Sequence, residues 1–85
     1  MNHDVIKYPH MTEKAMDDLD FRNKLQFMVD AGAAKPEVAE AVGDQFDVEV
    51  VDVTTHVMPD GEKKAVVRLS EDDDADEVAS RIGVF

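Results

Sequence analysis

Leu25, Phe27 and Val29 alternate with Gln26, Met28 and Asp30, and a period of two is the signature of a strand with one buried face. A strand is therefore expected at 24–30. Over residues 36–46 the apolar positions shift to three- and four-residue spacing, at Val38, Ala41, Val42 and Phe46, with Glu37, Glu40 and Asp44 falling elsewhere. That spacing predicts an amphipathic helix, opened by Pro36 where a missing amide is harmless and slightly weakened by Gly43. Residues 48–55 are β-branched enough for a second strand, but the alternation changes phase between Val50 and Val51, so a bulge or burial on both faces is expected there. Met58-Pro59-Asp60-Gly61-Glu62 then has the form of a tight turn, after which Ala65, Val67 and Leu69 alternate with Lys64, Val66 and Arg68. These two strands form a hairpin.

Shorter signals occupy the two ends of the chain. Val5-Ile6, closed by Pro9, reads as a brief edge strand at 4–8, where a proline without an amide hydrogen is tolerated. Thr12 followed by Glu13, Lys14, Ala15 and Met16 reads as the N-cap and first turn of a helix over about 12–19. Asp30-Ala31-Gly32 is a turn. The acidic run Glu71-Asp72-Asp73-Asp74 precedes Ala75, Val78, Ala79 and Ile82, predicting a last helix over about 73–82 with acids at its positive end and Gly83 as its C-terminal cap.

The order is strand, helix, strand, helix, strand, strand, helix. A helix joining two strands that are followed by a hairpin return suits a split β-α-β sheet, with the last strand inserted between the two parallel ones. The expected class is α+β, an α/β sandwich with a mixed, largely antiparallel four-stranded sheet and packed helices. Eighty-five residues form one domain, 1–85, with no repeat or linker. No run approaches the ~18 apolar residues of a membrane span and the N-terminus has no signal-like apolar core, so a soluble, cytoplasmic chain without membrane insertion is expected.

Charge changes this picture most. Twenty Asp and Glu against nine Lys and Arg give a net −11, which by itself argues against a polyanionic partner. Thirteen of the acids are Asp and lysine is sparse, the surface expected of a protein kept soluble in a salt-rich cytoplasm. At about 1 M salt the Debye length is only ~3 Å, so local contacts outweigh the overall balance. The basic residues are also uneven: residues 1–35 hold five Lys/Arg against six acids, 36–70 three against eight, and 71–85 one against six.

Catalytic chemistry finds little support. Cysteine is absent, which excludes disulfides, thiolate zinc sites and thiol catalysis. His3, His10 and His56 have no metal-ligand spacing, the acidic run lacks a calcium-loop pattern, and the four glycines form no phosphate loop. No metal or cofactor is expected. Lys7, His10 and Lys14 cluster around Pro9, and Lys24 and Lys35 flank the first long strand, so two readings stand level: five positive or protonatable groups converging near one edge to position a phosphate backbone without reading bases, or side chains that only solubilise the chain.

The succession V-I-K-Y-P-H-M-T-E-K-A-M, then N-K-L-Q-F-M-V-D, A-A-K-P-E-V-A-E-A-V, V-x-V-x-x-V-x-T at 48–55 and a basic G-E-K-K hairpin resembles the universal large-subunit ribosomal protein 23 family in its halophilic archaeal form. The resemblance covers nearly the whole chain. It implies a non-enzymatic ribosomal constituent that binds large-subunit rRNA beside the polypeptide exit tunnel and adjoins ribosomal protein 29. It further implies a docking place for the signal recognition particle and the translocon, with Glu13 on the family's docking glutamate. On this likeness Lys7, His10, Thr12, Lys14, Lys24, Lys35, Thr54, Thr55, Lys63 and Lys64 are the expected rRNA-facing residues. Ala39 stands where many members have a second lysine, Thr54 where many have Asn, and the 58–62 turn is short where bacterial members extend a long loop. The competing expectation is an acidic ferredoxin-like regulatory domain that is not attached to ribosomes.

Overall fold

The computed structural model describes residues 5–82. It contains β1 (Ile6–Pro9), α1 (Glu13–Phe21), β2 (Lys24–Val29), α2 (Lys35–Phe46), β3 (Val50–Val57), β4 (Lys63–Leu69) and α3 (Ala75–Arg81). The strand order is β1-β2-β4-β3 and each neighbouring pair is antiparallel. Consequently β2 and β3 run parallel with β4 inserted between them, the split β-α-β arrangement that the element order predicts. Asp4 of the expected first strand, His3 and the Gly83 cap lie outside the described residues.

Local chemistry explains the element boundaries. Thr12 is the N-cap of α1, its hydroxyl accepting from the Ala15 amide at 3.1 Å. In α2 the Glu37 carboxylate accepts from the Ala34 amide at 3.0 Å while Pro36 occupies the first turn. Gly43 leaves room within α2 for the chain to turn back, since a Cβ there would stand a tight 3.2 Å from the Val48 carbonyl oxygen. The hairpin turn depends on Gly61, whose φ of 88° suits glycine. The phase slip in the third strand is a bulge: the β3–β4 register shifts between Val50 and Asp52, leaving Val51 exposed.

Asn23 makes the most connections of any loop residue. It sits at φ 55°, a left-handed conformation that Asn tolerates. Its Nδ2 donates to the carbonyls of Leu69, Ser70 and Asp73 at 3.4, 3.1 and 2.9 Å, and its Oδ1 accepts from the Ala75 amide at 2.8 Å. One short turn thus ties the end of α1 to the end of β4 and the start of α3.

Leu25, Phe27 and Val29 of β2, Ala65, Val67 and Leu69 of β4 and Val53 of β3 form one apolar sheet face, covered by Val38, Ala41 and Val42 of α2 and Ala75, Val78 and Ala79 of α3. Phe27 stacks on Phe46 with ring centroids 5.5 Å apart and planes 8° from parallel. Burying a side chain of this size stabilises the fold by about 1.5–3 kcal/mol. The expectation that β2 has only one buried face is corrected: Gln26 and Met28 are buried as well. The cause is α1, whose Asp18 holds Gln26 while its Leu19 joins the core beside α3, and β1, which closes the edge of β2.

Candidate nucleic-acid interface

With a side-chain period of two, the apolar face of β2 and β4 leaves Lys24, Gln26 and Met28 on the other face, beside Lys64, Val66 and Arg68. The β3 register adds Asp52 opposite Arg68, Thr54 opposite Val66 and His56 opposite Lys64. Helix α1 leans over the side of this open face. Between them lies a groove of about 380 Å³, bordered by Lys14, Asp18 and Arg22 of the helix and by Lys24, Thr54 and Lys64 of the sheet.

Three rows cross the groove. The Lys24–Arg68 pairing places those two cations side by side, with Arg22 one turn of chain away at the end of α1. At the other end Lys64 lies between Met28 and His56, with Lys14 above on α1. The middle row is Gln26, Val66 and Thr54. Five of the nine Lys and Arg therefore share one small surface with Asp17, Asp18 and Asp52.

Asp18 is largely neutralised where it stands. Its Oδ1 is 3.4 Å from the Arg22 guanidinium, the one ion pair among the described residues, and its Oδ2 accepts from Gln26 Nε2 at 2.7 Å. Because a carboxylate can only accept, Gln26 must direct its amide nitrogen at Asp18. Its Oε1 is then left buried without a partner. By contrast Lys14, Lys24, Lys64 and Arg68 make no side-chain hydrogen bond to other described residues, so their charges are not spent within the fold.

The expected site residues fall into two sets. Lys14, Lys24, Thr54 and Lys64 meet around the groove. Thr12 and Glu13 lie exposed at the N-terminal end of α1, which carries Lys14, Lys7 is exposed on the edge strand, and half-buried His10 extends the β1–β2 pairing by donating its amide to the Gln26 carbonyl at 2.9 Å. Lys35 does not converge with them: it sits in the first turn of α2 beside Ala39 and the start of β3. Thr55 points to the covered side of β3, in register with Ala65. Lys63 does so from β4, its Nζ donating to the Ala33 carbonyl at 2.7 Å. Arg22, Gln26, His56 and Arg68 were absent from the expected set. The alternation of Lys64, Val66 and Arg68 combined with the β4–β3 pairing would have found Arg68 and His56.

Tyr8 lies across from Met28 and donates its hydroxyl to Glu62 at 3.1 Å. That bond, followed by partial desolvation and the negative charges of Glu62 and Asp60, raises the phenol above its ordinary value of 10.0. At the opposite end Asp20, Glu71, Asp74 and Asp76 gather near Asn23. Partial desolvation, then the charges of Asp20 and Asp74 and a hydrogen bond shared with Asp20, raise Asp76 above the ordinary 3.8. Among the described residues no group of three or more His, Cys, Asp or Glu is placed to hold a metal ion, and no helix is long and apolar enough to cross a membrane.

Comparison with known proteins adds independent findings. Residues 4–68 match the family model described as ribosomal protein L23. The large ribosomal subunit protein uL23 of Haloarcula marismortui is 71% identical over 85 residues, covering 100% of both chains. The proteins of the same name from Halobacterium salinarum and Methanococcus aeolicus are 62% identical over 81 residues and 45% over 82, covering 95% and 96% of this chain and 96% and 95% of theirs.

Proposed function

The chain belongs to the ribosomal protein L23 family, in its halophilic archaeal form, and from that premise we propose that the groove between α1 and the open sheet face is where it holds large-subunit rRNA. As a family member it is a non-enzymatic, structural constituent of the large subunit of the cytoplasmic ribosome and associates with rRNA. The regulatory-domain alternative is left without support. One observation carries the site: in a chain of net −11, Lys14, Arg22, Lys24, Lys64 and Arg68 are gathered on one surface with Thr54 and His56. Cations around a polar floor, all but Arg22 free of ion pairs among the described residues, are the chemistry that neutralises phosphates. Lys7, His10 and Thr12 flank this surface through β1 and the start of α1. Lys35, Thr55 and Lys63 stand apart on the covered side of the sheet and are not part of this surface.

The whole chain is read as a single rRNA-binding domain placed beside the exit tunnel, next to ribosomal protein 29, where the signal recognition particle and the translocon dock. Glu13 supports the docking part. It stands on the solvent side of α1 with Met16, 41% exposed, and the still more open Phe21, 78% exposed, follows in the last turn. An acid beside exposed apolar side chains offers a partner both charge and contact area. Glu13→Ala is expected to reduce factor recruitment while leaving subunit assembly intact.

The rRNA reading is tested with Lys14→Glu in molar salt. The wild-type chain should bind large-subunit rRNA and co-migrate with large subunits on a salt-matched gradient, and the variant should bind more weakly with a shallower salt dependence. Migration of the wild type free of ribosomes would overturn the reading.

A further inference from the structure

The arrangement of cations within the groove says more than that RNA is held there. Arg22, Lys24 and Arg68 occupy one end, and Lys14 and Lys64 the other. Eight residues separate Lys14 from Arg22 on the helix, about 12 Å along its axis. Four separate Lys64 from Arg68 on β4, about 13 Å along the strand. Helix and sheet therefore repeat the same spacing, because α1 turns back through Asn23 and runs antiparallel to β2. The row between the two ends is uncharged on the sheet side, with Gln26, Val66 and Thr54, and on the helix side Asp18 is paired while its exposed neighbour Asp17 borders the groove.

The groove also offers little for stacking unpaired bases, a single imidazole at His56 and the guanidiniums of Arg22 and Arg68. None of the four Phe and Tyr side chains among the described residues lines it: Phe27 and Phe46 stack in the core, Tyr8 is tethered to Glu62 at the β1 edge and Phe21 belongs to the acidic end. Splayed bases are held by stacking on aromatic rings, whereas paired RNA is held by phosphate and 2′-hydroxyl contacts across its wide, shallow minor groove. We propose that the two cationic ends grip phosphates on opposite strands of a double-helical RNA segment, with the exposed Thr54 hydroxyl of the middle row facing the riboses between them. This rests on the rRNA reading and specifies the conformation of the RNA bound.

Hydroxyl-radical footprinting on full-length large-subunit rRNA in molar salt, with base-specific chemical probing in parallel, tests the proposal. Protection should fall on riboses of paired nucleotides on both strands of one helix, across its minor groove, without new protection of base edges. Lys14→Ala with Lys64→Ala should remove protection from one strand, and Lys24→Ala with Arg68→Ala from the other, each weakening binding about tenfold. Thermal unfolding should stay unchanged in both. Protection confined to unpaired nucleotides and their base edges overturns this proposal while leaving rRNA binding intact. Loss of both strands from either double variant with unchanged thermal unfolding also overturns it. Absence of any footprint from the wild type overturns both.

Discussion

On the open face, Lys24, Lys64 and Arg68 stand on neighbouring strands with Lys14 and Arg22 above them, whereas a few residues away Asp20, Asp74, Asp76 and Glu71 crowd the turn at Asn23. Arg22 borders both regions, and Arg68, paired with Lys24 on the open face, also lines the acidic one. The two surfaces respond to salt for different reasons. Acids packed against one another repel, and molar salt removes that cost with a Debye length of about 3 Å. Cations facing a bound phosphate act at contact distance and retain part of their attraction. A net charge of −11 therefore describes the solubility of this molecule and not its binding surface.

The largest effect is expected from reversing the cationic side. Lys24→Glu combined with Lys64→Glu should weaken rRNA binding at least a hundredfold, about 2.7 kcal/mol, as measured by filter binding in molar salt. Asp74→Lys at the acidic end should change it little. Equal losses from the two changes would erase the distinction between the regions.

Next in size is Asn23→Ala. It removes bonds to three carbonyls, leaves the Ala75 amide without its acceptor and keeps a residue with a Cβ at φ 55° without the compensation that the Asn amide provides. A stability loss of about 2–3 kcal/mol is expected by denaturant unfolding. Affinity of the folded fraction for rRNA should be retained.

A smaller change, of opposite sign, is expected from Asp76→Asn. The folded-state value of Asp76 is raised, so its contribution is favourable below the unfolded value of 3.8 and is lost as pH rises through the folded value. At neutral pH and low salt the variant should melt higher than the wild type, with the gap closing near pH 3 and also in molar salt.

The smallest concerns Tyr8, the only tyrosine. Tyrosinate absorbance should titrate above pH 10, and Glu62→Gln should bring the midpoint back toward 10.0. The bond to Glu62 stabilises the fold below pH 10 and is lost as pH rises through the folded value.

Much of this architecture is legible in the residues themselves. The period-two and period-3.6 patterns locate the strands and helices, Thr12 marks the start of α1, and the phase slip at Val50 and Val51 becomes the β3 bulge. What escapes a linear reading is pairing. Lys24 and Lys35 look equivalent as flanks of one strand, yet α2 carries Lys35 to the covered side of the sheet while Lys24 stays on the open one. Lys63 and Lys64 are adjacent in sequence and point to opposite faces, one tied to the Ala33 carbonyl and the other in the groove. Arg68 and His56 enter the site only through register. Gln26 reads as the outward residue of a half-buried strand, and its burial under α1 depends on the tertiary partner Asp18.

The most direct test of the groove as the rRNA-binding surface is the slope of log affinity against log salt for single alanine variants. Lys24→Ala and Lys64→Ala should each lower its magnitude by about 1, while Lys35→Ala and Asp74→Ala leave it unchanged. A slope unaltered by the groove variants but reduced by Lys35→Ala would contradict the assignment of the open face.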